Sequence, residues 1–283
     1  MGPRSYVVAF AAAALALAGE QNTAENLYNH TDYQAALRLL QASSDANARH
    51  WELMGKCYLM LGNFKKATDS FQKAVALEPQ NSDYALWLGR AWGRRAETAS
   101  PFVAPSNAAK ARNYFEKALE LNPNNRDALG DLFDYYLNAP GFLGGGIDKA
   151  EAVARHIEAI DPPEGHFVLS RVAGKRQQRS EMERELRTAV KLAPDQLGHV
   201  IALARFLARQ ARLTESDAVL AEAERMAPAS PQILYAKASI YIETHRKVEE
   251  ARSLLKTYLE SQLTPDDPPR EAAEKLLRTA SGG

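Results

Sequence analysis

The chain has 283 residues and equal numbers of basic and acidic side chains, 35 Lys plus Arg against 35 Asp plus Glu. That balance excludes a bulk field that would attract nucleic acid or a membrane surface, so electrostatic recognition has to come from local segregation of charge. A single cysteine, Cys57, excludes a disulfide framework and leaves nothing to mispair in an oxidising compartment.

At the N-terminus, Arg4 precedes an uncharged run from Ser5 to Gly19, and Ala16-Leu17-Ala18 supplies small residues on either side of one position. The run, at about 14 residues, falls short of the ~20 that a spanning helix needs. Residues 1–18 are therefore expected to be a cleavable signal peptide that exports the chain to the periplasm or beyond, with an uncleaved anchor as the alternative.

Periodicity starts next. Ala24 and Leu27, followed by Tyr33, Ala36 and Leu40, form a degenerate helical pair over 20–47. Between 48 and 81 the pattern is full: Trp51, Met54 and Tyr58 share one face of a first helix, and Phe64, Ala67, Phe71 and Ala74 one face of a second. Gly62-Asn63 separates the two, Pro79 stops the second, and small residues at Gly55, Ala67 and Ala74 permit close helix approach. The same register returns over 82–125 (Leu88, Gly89, Trp92; Ala111, Phe115, Ala118, Pro123) and 126–162 (Leu132, Phe133, Tyr136; Ala150, Ala154, Ile157, Pro162). Weaker copies follow at 163–196, 197–230 and 231–265, where Ala, Leu and Pro persist but the glycines and most aromatics are lost.

This register resembles the tetratricopeptide repeat, over roughly residues 20–265. The resemblance implies an all-α fold, a right-handed superhelix of about seven antiparallel helical hairpins within 19–265, with the first helix of each hairpin lining a concave face. Phe133 and Ser170 depart from it, standing where the family usually has glycine. Pro-rich residues 263–269 break the pattern, and Arg270 to Thr279 resume it with a polar outer face, as expected of a capping helix within 266–283.

The family's groove positions give the candidate site. The ninth positions read Lys56, Arg90, Asp134, Arg171, Arg205 and Ser239, and the thirteenth Met60, Arg94, Asn138, Lys175, Arg209 and Glu243. Seven of these twelve are basic in a chain of no net charge, one turn apart on each helix, so a basic stripe for an anionic protein or peptide partner is expected. Phe167, Tyr235, Leu86 and Ile201, at fifth positions, would add apolar contact. An accessory subunit holding an anionic glycan or polymer for a separate enzyme is the alternative reading of the same stripe.

Two inserts, Arg95–Lys110 and Asn138–Gly146, join first to second helices in adjacent repeats and carry Phe102 and Phe142. These aromatics either form a lip over the groove or bury against their own hairpins. The Gly-rich segment 141–146 lacks the Gly-Lys-Ser/Thr of a phosphate loop and reads as a flexible turn. The six histidines have no metal-ligand spacing, and no nucleophile sits in a catalytic context, so the sequence implies neither a metal, a cofactor nor an enzyme. Too few aromatics face the groove for base stacking, so nucleic acid is not an expected partner.

Overall fold

A computed structural model describes residues 23–44, 46–228, 230–264 and 267–281, and the expected signal segment, 1–18, lies outside them. Every regular element in the described residues is helical. After a helix over 23–29 (α1) come α2 (Tyr33–Ala42), α3 (Ala48–Met60), α4 (Phe64–Leu77), α5 (Ser82–Thr98), α6 (Ala104–Leu121) and α7 (Arg126–Asn138). A 3-10 turn (Gly141–Leu143) leads to α8 (Ile147–Ile160). Then follow α9 (Pro162–Lys175), α10 (Arg179–Leu192), α11 (Leu197–Arg209), α12 (Leu213–Met226), α13 (Pro231–Glu243), α14 (Val248–Glu260) and α15 (Arg270–Ser281). The chain divides into two compact units, one through Val153 and one from Ala154 onward, the division falling within α8.

Within the first unit, helix starts are written by asparagine and aspartate. The side chains of Asp32, Asn47, Asn63, Asn81 and Asn125 accept from the backbone N–H groups of Ala35, His50, Lys66, Tyr84 and Ala128 at the starts of α2, α3, α4, α5 and α7. Each such cap satisfies an N–H that the helix itself leaves orphaned, for about 1 kcal/mol. In the second unit α9 has this device, with Asp161 accepting from Glu164, while α10 to α14 have no side-chain cap.

The turn inside each hairpin without an insert has one geometry. Gly62 has φ +74°, and the residues at the equivalent step, Thr31, Gln177, Ala211 and His245, have φ of 63°, 59°, 59° and 51°. The next N–H reaches back to a carbonyl five residues earlier in each case: Asp32 to Leu27, Asn63 to Tyr58, Gln178 to Ala173, Arg212 to Leu207 and Arg246 to Tyr241, at 2.8–3.0 Å. This is a Schellman closure, and among these turns only the one at Gly62 has the glycine that the geometry favours.

Packing inside the hairpins follows the same register. A Cβ added to Gly55 would lie 2.7 Å from the Phe71 ring, and one added to Gly89 2.7 Å from Phe115. The glycines are therefore sockets for the aromatic rings of the second helices. In α9/α10, α11/α12 and α13/α14 the same two positions hold Ser170 with Leu186, Ala204 with Leu220, and Ala238 with Leu255, all buried. A larger residue on the first helix goes with a smaller one on the second, which conserves volume.

The inserts differ from their sequence reading. Arg95–Lys110 is not a long connection: α5 runs on to Thr98 and α6 starts at Ala104, with Pro105 in its first turn, so the extra residues lengthen both helices. The 141–146 segment is tied down rather than loose. The Leu143 carbonyl accepts from Arg112 Nη1 (3.1 Å) and from the Tyr135 hydroxyl (2.7 Å), and the Gly144 carbonyl from Lys149 Nζ (2.9 Å). In the second unit α15 closes its end by burying Ala273 against Leu255 and Tyr258, whose hydroxyl donates to the Pro268 carbonyl.

Candidate functional site

The first helices of the hairpins bring most of the expected site residues to partly exposed positions, and the structure supplies the partners that sequence spacing could not show. In the first unit, α3, α5, α6 and α7 enclose a concavity of about 620 Å³. Its wall is apolar, from Leu59 and Met60 through Gly93 and Ala111 to Phe115 and Tyr135. Met60 is 51% exposed, a large side chain left open to solvent. Charge of both signs stands at the edge, Arg90 and Arg94 beside Glu97, Asp131 and Asp134.

Arg90 is committed to the next repeat. Its Nε is 2.5 Å from Asp131 Oδ2 and its Nη2 3.3 Å from Asp127 Oδ2, while its guanidinium lies 4.8 Å from the Trp87 ring centre. Burial raises the Asp131 pKa, and the hydrogen bond and charge of Arg90 oppose that shift. Lys56 pairs with Glu52 at 2.6 Å and lies 4.7 Å from the centre of the same Trp87 ring, and Arg94 pairs with Glu97. The Tyr135 phenol is also raised, chiefly by burial.

The second unit repeats the theme. Arg205 and Arg209 both bind Glu243 of α13, Arg209 at 3.4 Å, and Arg205 also donates to Ser239 Oγ at 3.3 Å. Arg171 is half-buried and Lys175 exposed. Phe167 stacks on the buried His199 at 4.7 Å, and Tyr235 packs on Tyr258 at 5.4 Å, so each of these aromatics offers only part of its surface. His199 is held in turn by Glu164 at 3.0 Å, and His166 by the buried Glu185 at 2.6 Å.

Three expectations change here. The row of open cations becomes, at Arg90, Arg205 and Arg209, a set of clamps between successive first helices, because the preceding repeat's arginines meet carboxylates of the following one. The acceptors Asp127 and Asp131 occupy the second and sixth positions of their repeat, and their spacing of four was the available signal. Leu86, expected in the groove, is 2% exposed and belongs to the core. Phe102 and Phe142 do not bury against their own hairpins: they are 96% and 82% exposed.

Cys57 is fully buried, and burial pushes its thiol pKa up to about 12, so it is a core residue and not a nucleophile. Among the described residues no group of three or more His, Cys, Asp or Glu is placed to hold a metal, and no helix is long and apolar enough to cross a membrane.

Residues 51–81 and 107–125 match family models of the tetratricopeptide repeat. The fold is similar to that of a tetratricopeptide repeat protein from Parabacteroides merdae, 14% identical, with a TM-score of 0.63 over 94% of this chain and 99% of that one. It is also similar to a thermophilic protein of the same kind from Thermus thermophilus, 21% identical, with a TM-score of 0.53 over 68% of this chain and 98% of that one. At these identities the likeness carries the fold alone. A Haemophilus influenzae protein, provisionally named a cytochrome c-type biogenesis protein CcmH, is 34% identical over 73 residues, 25% of this chain, and the match spans only 16% of that protein. Repeats of this kind build protein-interaction scaffolds, and the hairpins here support that role. With register, hairpin geometry and family matches in agreement, the chain carries tetratricopeptide repeats and shares the fold of tetratricopeptide-repeat proteins.

Proposed function

We propose that the chain is a non-catalytic scaffold that holds a protein or peptide segment against its first helices, with cations at the ninth and thirteenth positions meeting anionic groups of the partner. The observation that carries this reading is the first-unit concavity. It combines an apolar wall, including the exposed Met60, with an edge of fixed and mutually paired charges. An apolar floor supplies affinity through burial, and an oriented polar edge supplies register and selectivity. Pairing Arg90 to Asp131 in advance holds that edge in place before a partner arrives.

A photo-crosslinking residue at Met60 or Arg94, expressed in the producing cells, is expected to trap a discrete partner that the same probe at Gln72, exposed on α4, does not. Equal adduct patterns at the three positions would remove the groove from consideration. The apolar run ahead of Gly19 supports an exported location. N-terminal sequencing of the protein recovered outside the cytoplasm tests this, and a retained Met1 would refute cleavage.

A further inference from the structure

A second concavity, of about 630 Å³, lies wholly within the second unit, between the α9–α10 turn and α11. Its floor is apolar, made of Met182, Ala202 and the buried Phe206, and its walls carry Arg179, Arg205 and Arg209. No carboxylate is among the described residues that line it. A carboxylate from outside the lining, Glu243 of α13, reaches two of these arginines, its two oxygens divided between Arg205 and Arg209. One carboxylate shared by two guanidinium groups leaves them in surplus, and the exposed Arg179 at the start of α10 adds to it. The Arg209 contact is the looser of the two, at 3.4 Å, with that side chain 65% exposed.

We infer that this pocket takes an acidic segment of a partner polypeptide, a Glu or Asp side chain next to an apolar residue, and that Glu243 is the resident carboxylate with which the incoming one competes. The inference rests on the scaffold reading above and adds the ligand chemistry and its regulation. Glu243 shows directly that Arg205 and Arg209 accept a carboxylate borne on a helix. The incoming carboxylate engages Arg179 and Arg209 with the two-point geometry that guanidinium forks favour, and the adjoining apolar side chain covers Met182 and Phe206. That floor separates a peptide from a uniformly anionic polymer, which has nothing apolar to place there. Since Glu243 must be displaced from Arg209 before the pocket is filled, its charge lowers apparent affinity by the fraction of molecules in which it is seated.

The test is fluorescence anisotropy of the full chain with a fluorescein-labelled, C-terminally amidated peptide alternating Leu and Glu. Its Leu/Gln and Ser/Glu counterparts serve as controls. Arg179→Glu and Arg209→Glu are each expected to weaken binding by about 10-fold or more, and Glu243→Gln to tighten it by roughly 3–10-fold. Arg179 is exposed, so its variant retains the fold, and helical circular dichroism of each variant verifies this. Binding that is unmoved by Arg179→Glu, or weakened by Glu243→Gln, overturns the proposal. A Ser/Glu peptide or heparin binding as tightly as the Leu/Glu peptide also overturns it, in favour of a polymer site. Partner crosslinks at Met60, in the first unit, survive either failure and so keep the scaffold reading distinct from this one.

Discussion

At Ala211 a residue with a Cβ adopts φ 59°, in the hairpin turn where Gly62 has φ 74°. Left-handed backbone costs an L-residue roughly 1–2 kcal/mol and glycine almost nothing, while glycine loses more freedom on folding. Ala211→Gly is therefore expected to raise stability by about 0.5–1 kcal/mol, read as a higher urea midpoint with an unchanged slope. Gly55 makes the opposite case. Its Ala variant would drive a methyl into the Phe71 ring, and the expected cost is about 1–3 kcal/mol. Adding Phe71→Leu to Gly55→Ala reproduces the Ala204–Leu220 pairing of α11 and α12, so the double variant should recover part of that loss. A purely additive double variant would show that the two positions do not share one socket.

The elements are joined by charged clamps as well as by core. Asp217 on α12 accepts two hydrogen bonds from Arg246 at 2.7 Å and one from Lys247 at 3.0 Å, both in the α13–α14 turn. The Arg246 hydrogen bonds hold the Asp217 carboxyl below its ordinary range, against a smaller opposing effect of burial and with help from Lys247. A depressed folded pKa means that the unfolded chain takes up the proton first on acidification. The stabilisation is thus complete above about pH 4 and is lost as pH falls through the folded value. Asp217→Asn should cost about 1 kcal/mol at neutral pH, a figure kept low because the pair is partly solvated. The gap between variant and parent should close below about pH 4 in thermal melts, and a gap independent of pH would count against the clamp.

Over the whole molecule, stability is expected to be uneven. Asparagine and aspartate caps hold the starts of most first-unit helices, whereas α10 to α14 have none, and each cap is worth about 1 kcal/mol. Of the strained hairpin turns, Thr31 lies in the first unit, ahead of α3, and Gln177, Ala211 and His245 fall in the second. In a repeat array that contacts neighbours only, such differences stay local. Amide exchange should therefore be slower in α3 to α7 than in α10 to α14, and uniform protection across both would refute a gradient.

The hairpins, their turns and their buried faces were legible in the amino-acid sequence, because Trp51, Tyr58, Phe71 and Pro79 act within one or two turns of chain and recur in register. Gly55 and Gly62 could be assigned to a close contact and a turn on the same local grounds. The charged site could not be read that way. Whether Arg90 faces solvent or Asp131 depends on a residue 41 positions away, and whether Arg209 is open depends on Glu243, 34 away. The exposure of Phe102 and Phe142 likewise depends on α5 and α6 absorbing an insert as added helix. The sequence alone determined the repeat and its buried faces, since those follow from helical period and residue size. Only tertiary structure decided which cations are already spoken for, since stacking the repeats places an acid of one hairpin against an arginine of the one before.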